Sequence, residues 1–325
     1  MGTEGMGKVV VIGAGAIGLL YAGALARVHP GRVTLITRRE GLKSVLARNV
    51  TLSWPDSPAY HLAGLDARLP GECPAGEADV AFVAMATYDS AEAGRLAQKL
   101  LKPDGLCISL QNGLDNQAAL AQSLGEARAM QGATSFPVHV PVPGEVSINS
   151  RGGTWLPMLP TAFDWLPPWL AEAGLNPSTV ADPVALGWRK TAIATNGYLA
   201  LILASPMGLA MNTDAARSVA EKACLEILAI ANASGVKLDR DDVLKALRAA
   251  WGNSNPNARS SLYNDYIAGR RTELDERLGS VIERGKAIKV PVPTLEMLYL
   301  LSQARLGLPP QVATRAEATA EQAPA

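Results

Sequence analysis

Six residues near the N-terminus, Gly13-Ala14-Gly15-Ala16-Ile17-Gly18, have the GxGxxG spacing of a turn that brings backbone N–H groups up to a phosphate. They follow a β-branched apolar run, Lys8 to Ile12 (KVVVI), and open a helically periodic stretch from about Ile17 to Arg27. In that setting Gly13 permits a tight turn, Gly15 removes a side chain that would block a pyrophosphate, and Gly18 lets the helix pack on the strand. The helix start adds unpaired N–H groups and a partial positive charge. The segment from Gly13 to Gly18, with Ala14, Ala16 and Ile17 between the glycines, is therefore a candidate dinucleotide site. The plainer alternative is a glycine-rich strand-to-helix turn.

The second strand, Val33 to Thr37 (VTLIT), ends on Thr37-Arg38-Arg39. NAD sites place an acid there for the ribose 2′-hydroxyl. A guanidinium instead suits a 2′-phosphate, which it can grip through two parallel hydrogen bonds. Arg38 thus favours NADP(H), against the alternative of a solvated basic loop. Glu40, two residues on, keeps an acid-based site open.

Hydride transfer to a carbonyl also needs a proton donor for the developing alkoxide. Histidine is a frequent donor, but His29, His61 and His139 all lie in the first half of the chain. A lysine or a carboxylic acid must serve. Lys190 stands in Gly187-Trp188-Arg189-Lys190-Thr191-Ala192-Ile193, near the expected start of an apolar helix. Partial desolvation there would lower its pKa toward useful proton transfer; a lysine snorkelling to water is the bland reading. Ser260-Ser261 and Thr272-Glu273-Leu274-Asp275 form a second group. The pattern Leu274, Leu278, Val281, Ile282, Ile288 predicts a helix from about Thr272, with Glu273 in its first turn. The helix dipole favours an acid there for structural reasons alone. A third group is Gln111-Asn112-Gly113, just past a strand. Asn112 could meet both nicotinamide ribose and substrate, or be a simple Asn-Gly turn.

These residues need scaffolds of two kinds. A chain of 325 residues suggests two domains. Strands are expected at Lys8–Ile12, Val33–Thr37, Thr51–Trp54, Tyr60–Leu62, Asp79–Met85 and Gly105–Leu110. A helix over Ser90–Leu101 is closed by the turn Lys102-Pro103-Asp104-Gly105. Such alternation predicts an α/β fold with a doubly wound, mostly parallel sheet. From about Val184 to Leu306 the chain is helix-patterned, with interruptions at Gly197, Pro206, Gly235 and a Gly252–Asn257 loop. The expectation is a dinucleotide-binding domain over residues 1–183, an all-α domain over 184–308 that supplies the lysine, and a disordered tail over 309–325.

Composition removes several function classes. Lysine plus arginine (30) equal aspartate plus glutamate (30), so there is no basic footprint for a nucleic acid. Three scattered cysteines, Cys73, Cys107 and Cys224, form no CxxC pair and read as reduced thiols in a cytoplasmic protein. They show no metal-ligand spacing with the histidines. No apolar stretch is long enough to span a bilayer. Apolar helices in the second domain could support a homodimer.

Taken together, VVVIGAGAIG, Arg38, LQNGL at Leu110–Leu114, WRK at Trp188–Lys190 and SSLYNDYIAGRRTELD at Ser260–Asp275 resemble the ketopantoate reductase (2-dehydropantoate 2-reductase) family, from about Lys8 to Leu306. The resemblance implies a Rossmann-type domain followed by a helical one, and NADPH-dependent reduction of the 2-oxo acid ketopantoate on the route to pantothenate and coenzyme A. Carried over by position, it makes Lys190 the general acid and gives Glu273 the orienting of substrate and lysine. Ser261 then binds the substrate carboxylate, and Asn112 stands at the nicotinamide side. Three positions depart from the pattern. Ala86 stands at or near a family lysine, and Ala194 and Tyr198 stand where asparagines are common. Asn196 lies two residues, or about 200° around a regular helix, from Ala194 and cannot simply replace it. These departures leave room for a reductase of another 2-oxo acid, ketone or imine whose substrate Ala194 and Tyr198 would contact. A non-catalytic NADP(H)-binding sensor is the alternative from a different class.

Overall fold

The computed structural model describes residues 7–252 and 258–309. The expected tail beyond Pro309 and all but the first residue of the 252–257 loop lie outside the described residues. The chain divides into two compact units, Met1–Gly187 and Trp188–Ala325.

In the first unit, six strands form one parallel sheet. Numbered along the chain they are Val9–Ile12, Val33–Ile36, Asp66–Arg68, Ala78–Val83, Leu101–Ser109 and Ala129–Gln131, and their spatial order is 3-2-1-4-5-6. This is the doubly wound order, and its switch point lies between Val9–Ile12 and Ala78–Val83, whose registers pair Val9 with Val80 and Ile12 with Val83. Both faces of the sheet are covered. Val9, Val11, Val80 and Phe82 pack into one apolar cluster with Leu19 and Leu25, while Val10, Ile12, Ala81 and Val83 pack into another with Ala93 and Leu120. Burial on both faces is why these strands read as continuous apolar runs rather than alternating ones.

Three expectations need correction in this unit. The strands near residues 51 and 60 exist as Val50–Ser53 and Tyr60–Leu62, but they pair antiparallel with each other in a separate four-stranded sheet, where Val50–Ser53 also runs parallel to Glu145–Ile148 and that strand antiparallel to Val138–His139. The parallel sheet instead takes Asp66–Arg68, whose short charged sequence carries no strand pattern and which is held by backbone pairing with Val33–Ile36. The residues Lys102–Gly105 do not end before a strand. The strand starts at Leu101, and the four residues bulge out between the Ala78–Leu101 and Val80–Leu106 pairs.

The second unit is helical among its described residues. Its long helix, Asp214–Ala233, is capped by Thr213, whose side chain accepts from the Ala216 N–H, and buries Ala220, Ala223, Cys224 and Ile227. Around it lie Asn196–Ile202, Arg240–Gly252, Ser261–Ile267, a segment from Asp275 to Ala287, and Pro293–Leu306. The Lys190 helix runs from Pro183 to Ile193, so Lys190 sits in its last turn rather than near its start. The interruption comes at Ala194–Thr195, not at Gly197, which is the second residue of the next helix. Thr195 causes it. Fully buried, its hydroxyl reaches back to the carbonyls of Ala192 (3.4 Å) and Ala220 (3.2 Å), and the backbone tightens to a Gly197 N–H to Ala194 carbonyl bond of 3.0 Å. The regular angular spacing expected between Lys190, Ala194 and Tyr198 therefore does not hold.

No helix among the described residues is long and apolar enough to cross a membrane. Cys73, Cys107 and Cys224 are buried free thiols, and burial raises the pKa of Cys107 and of Cys224 to about 12.

Candidate active site

The three glycines of the first turn differ in why they are glycine. Gly13 has φ +113°, and a Cβ there would lie 2.8 Å from the Ala84 and Met85 backbone. A Cβ on Gly18 would lie 1.7 Å from the Gly13 carbonyl oxygen, because the helix Ala16–Val28 starts hard against its own strand. The fold thus requires both. Gly15 has φ −82°, which any residue adopts, and the nearest atom to a Cβ built on it is 3.9 Å away. Nothing among the described residues requires Gly15 to lack a side chain, and the helix it caps has no acidic residue in its first turn. Ala14, Ala16 and Ile17 complete the turn.

The carboxyl ends of the neighbouring strands are tied together by Gln111. Its Nε2 donates to the carbonyls of Met85 (3.1 Å) and Ala86 (3.2 Å) and to Ser90 Oγ (3.0 Å), and its Oε1 accepts from Ser109 (3.1 Å). Asn116 Nδ2 donates to the Asn112 carbonyl at 2.7 Å, which fixes the backbone of Asn112 and leaves its residue exposed. Ala86 contributes only its carbonyl to this network.

Arg38 is exposed and paired with two carboxylates, Asp89 at 2.5 Å and Glu92 at 3.2 Å. Both partners belong to the stretch after Ala78–Val83, and the Asp89 hydrogen bond holds the guanidinium pKa above its ordinary value. Arg39 reaches back instead, its Nη2 donating to the Ala14 carbonyl at 3.4 Å.

In the second unit Lys190 is half-buried, and its pKa is lowered to about 8, first by burial and then by the positive charge of Arg277. The two serines divide their work. Ser260 is buried and caps Ser261–Ile267, accepting from the Tyr263 N–H and donating to the Gly197 carbonyl, each at 3.2 Å. Ser261 is exposed, and its hydroxyl accepts from Arg277 Nη1 at 3.1 Å. Glu273 is half-buried and stands just ahead of the helical residues, which begin at Leu274; its carbonyl accepts the Arg277 N–H at 3.1 Å. Tyr198 is 1% exposed, with burial raising its pKa and its hydroxyl bonded to Arg277. Ala194 is half-buried in the tightened link.

The second unit thus gathers Lys190, Ser261, Glu273 and Tyr198 around one side chain that the sequence reading missed, Arg277. Arg277 lies in a wide turn, Asp275–Gly279, with i→i+5 bonding, a geometry that recurs at functional positions. The available signal was its i,i+4 spacing from Glu273, which puts both on one helix face.

A doubly wound parallel sheet whose first strand runs into a glycine turn gives the first unit the makings of a dinucleotide-binding domain, and a desolvated lysine on a helical unit suits an oxidoreductase of that class. Comparison with known proteins narrows the class. A family model described as "Ketopantoate reductase PanE/ApbA" matches residues 9–161, and one described as "Ketopantoate reductase PanE/ApbA C terminal" matches residues 185–305. The chain belongs to the ketopantoate reductase family of oxidoreductases. It is 25% identical over 301 residues to the 2-dehydropantoate 2-reductase of Caulobacter vibrioides, covering 92% of this chain and 99% of that one. Among solved structures it is similar to a PanE/ApbA family ketopantoate reductase from Ralstonia eutropha JMP134, with TM-score 0.80 and 27% identity over 92% of this chain and 98% of that one. It also shares its fold with a D-mandelate dehydrogenase, with TM-score 0.83 and 20% identity, covering 92% of this chain and 98% of that one.

Proposed function

We propose that the protein reduces the 2-oxo group of 2-dehydropantoate to pantoate, with NADPH as reductant. The observation that carries this reading is the burial of Lys190, which with the charge of Arg277 lowers its pKa to about 8, on the unit where Arg277 also meets Ser261 in a pair suited to a carboxylate. A reduced nicotinamide, when bound, would supply the hydride for C2. Lys190 gives a proton to the oxygen as its negative charge develops, and takes one back from water after the 2-hydroxy acid leaves. Glu273 orients the lysine and the substrate, Ser261 donates to the substrate carboxylate, and Asn112 stands at the nicotinamide side. Gly13 to Gly18 hold the pyrophosphate.

The choice of NADPH rests on Arg38. Its pair with Glu92 is exposed and its pair with Asp89 half-buried, and an exposed pair contributes at most about 1 kcal/mol. A 2′-phosphate can displace them, whereas a ribose hydroxyl gives the guanidinium no reason to leave.

A second reading keeps the reaction and changes the substrate. Ala86 and Ala194 offer no polar side chain to a substrate hydroxyl, and the D-mandelate dehydrogenase of shared fold was solved with NADH and anilino(oxo)acetate. Steady-state oxidation of NADPH and of NADH with ketopantoate and with a panel of aliphatic and aromatic 2-oxo acids separates the two. The highest kcat/KM with ketopantoate supports the first reading; a negligible rate with ketopantoate beside a substantial one with another acid replaces it with the second.

A further inference from the structure

The guanidinium of Arg277 is held differently from its neighbours in sequence. Arg270 and Arg271 are each bound to a carboxylate, Asp265 and Glu276, at the surface. Arg277 is half-buried, and it donates to two neutral hydroxyls, those of Ser261 and Tyr198. Five N–H donors in a planar fork exceed what two hydroxyls accept, so the fork keeps capacity for a further acceptor. The Ser261 hydroxyl accepts from Arg277, which leaves its own proton free to point at the same acceptor. Tyr198 cannot be that acceptor's open wall, since it is 1% exposed; it pins the guanidinium from the core side.

The charges around this fork point the same way. Arg277 acts on Lys190, and both Arg277 and Glu273 act on Tyr198. Burial lowers the lysine's pKa and the positive charge of Arg277 lowers it further, so an anion between the two cations would be favoured by both. A bidentate carboxylate is the acceptor whose geometry and charge fit a guanidinium fork.

We propose that Arg277 is a carboxylate anchor and the residue that makes this site select 2-oxo acids over neutral ketones, with Ser261 as its partner donor and Tyr198 as the positioning residue that holds it. This inference rests on the reading of the chain as a 2-oxo acid reductase. It adds a coupling: a carboxylate on Arg277 offsets the smaller, Arg277-borne part of the depression at Lys190 and leaves the part due to burial, so arrival of the substrate favours the protonated lysine.

The test compares the full-length protein with Arg277→Met, Arg277→Lys and Tyr198→Phe. The first readout is binding of oxamate, a non-reducible 2-oxo acid isostere, to the NADPH-loaded protein by calorimetry. The second is kcat/KM for the preferred 2-oxo acid and for its uncharged amide. Arg277→Met is expected to weaken oxamate about 10–100-fold, as for loss of a charge-assisted pair. NADPH affinity should not change. Arg277→Lys should fall between, and Tyr198→Phe should lose a few-fold, mainly in KM. The acid should lose far more than the amide in Arg277→Met, and the alkaline fall in kcat/KM should move to higher pH. Equal oxamate affinity in wild type and Arg277→Met, absence of oxamate binding to the wild type, or equal losses on acid and amide each overturn the anchor. Arginine-dependent oxamate binding without turnover of any 2-oxo acid leaves the anchor standing and rejects the reductase reading. Turnover of 2-oxo acids that Arg277→Met leaves untouched does the reverse.

Discussion

Gly15 and Gly18 are three residues apart in one turn, and their replacement by alanine should have opposite consequences. At Gly18 the added Cβ would stand 1.7 Å from the Gly13 carbonyl, so the helix or the strand must shift. Overpacking of this kind costs about 1–3 kcal/mol. For a domain of roughly 150–250 residues each kcal/mol lowers Tm by about 2–4 °C, so a fall of about 2–12 °C is expected for Gly18→Ala. At Gly15 the φ of −82° is ordinary and the nearest atom is 3.9 Å from the new methyl group. Gly15→Ala should therefore leave Tm unchanged or raise it slightly, since alanine restricts the unfolded chain and gives about 0.4–1 kcal/mol. Its cost falls on the ligand. A phosphate oxygen accepting from the turn at about 2.9 Å would meet the methyl group, and NADPH affinity should drop at least about tenfold, or ~1.4 kcal/mol. Scanning fluorimetry without ligand and fluorescence titration with NADPH read the two effects separately. If Gly15→Ala melts as low as Gly18→Ala, or binds NADPH as tightly as wild type, the reasoning about the turn is wrong.

Three further outcomes follow from the same geometry. Arg38→Ala should weaken NADPH about 10–100-fold and leave NADH nearly unchanged, while Asp89→Asn with Glu92→Gln should strengthen NADPH; equal effects on both cofactors in direct titrations would remove Arg38 from the phosphate site. In the free enzyme the proton donor must carry its proton, and burial lowers the pKa of Lys190 to about 8, so kcat/KM should be level at lower pH and fall as pH rises through about 8; a profile still rising there contradicts the assignment. Gln111→Ala removes the tie between the strand ends and should cost about 1–3 kcal/mol in urea unfolding, whereas a midpoint equal to wild type would show that the backbone holds those ends unaided.

Much of the first unit was legible because its signals are local. Gly13 to Gly18 follow a buried strand and open a helix within one short stretch, and the apolar runs Val9–Ile12 and Ala78–Val83 could only be strands covered on both faces. The third sheet strand, Asp66–Arg68, was not legible, because backbone pairing with Val33–Ile36 and not its own residues makes it a strand. Lys190 was visible as a charge in an apolar helix, but its place in that helix was not. A single buried hydroxyl, Thr195, set the break by bonding back to carbonyls that no sequence spacing reveals. Arg277 was hidden in a charged stretch, Asp275-Glu276-Arg277, which reads as a solvated face. The wide turn and the serine and tyrosine that meet it come from helices far apart in sequence.

The proposed reduction depends most directly on the ammonium of Lys190 as proton donor. Single-turnover oxidation of NADPH by Lys190→Ala, alongside a titration of its NADPH affinity, tests this. A dissociation constant within about twofold of wild type, with hydride transfer slowed by about 10²–10⁴-fold, is the predicted result. A transfer rate within tenfold of wild type at full NADPH occupancy would contradict it.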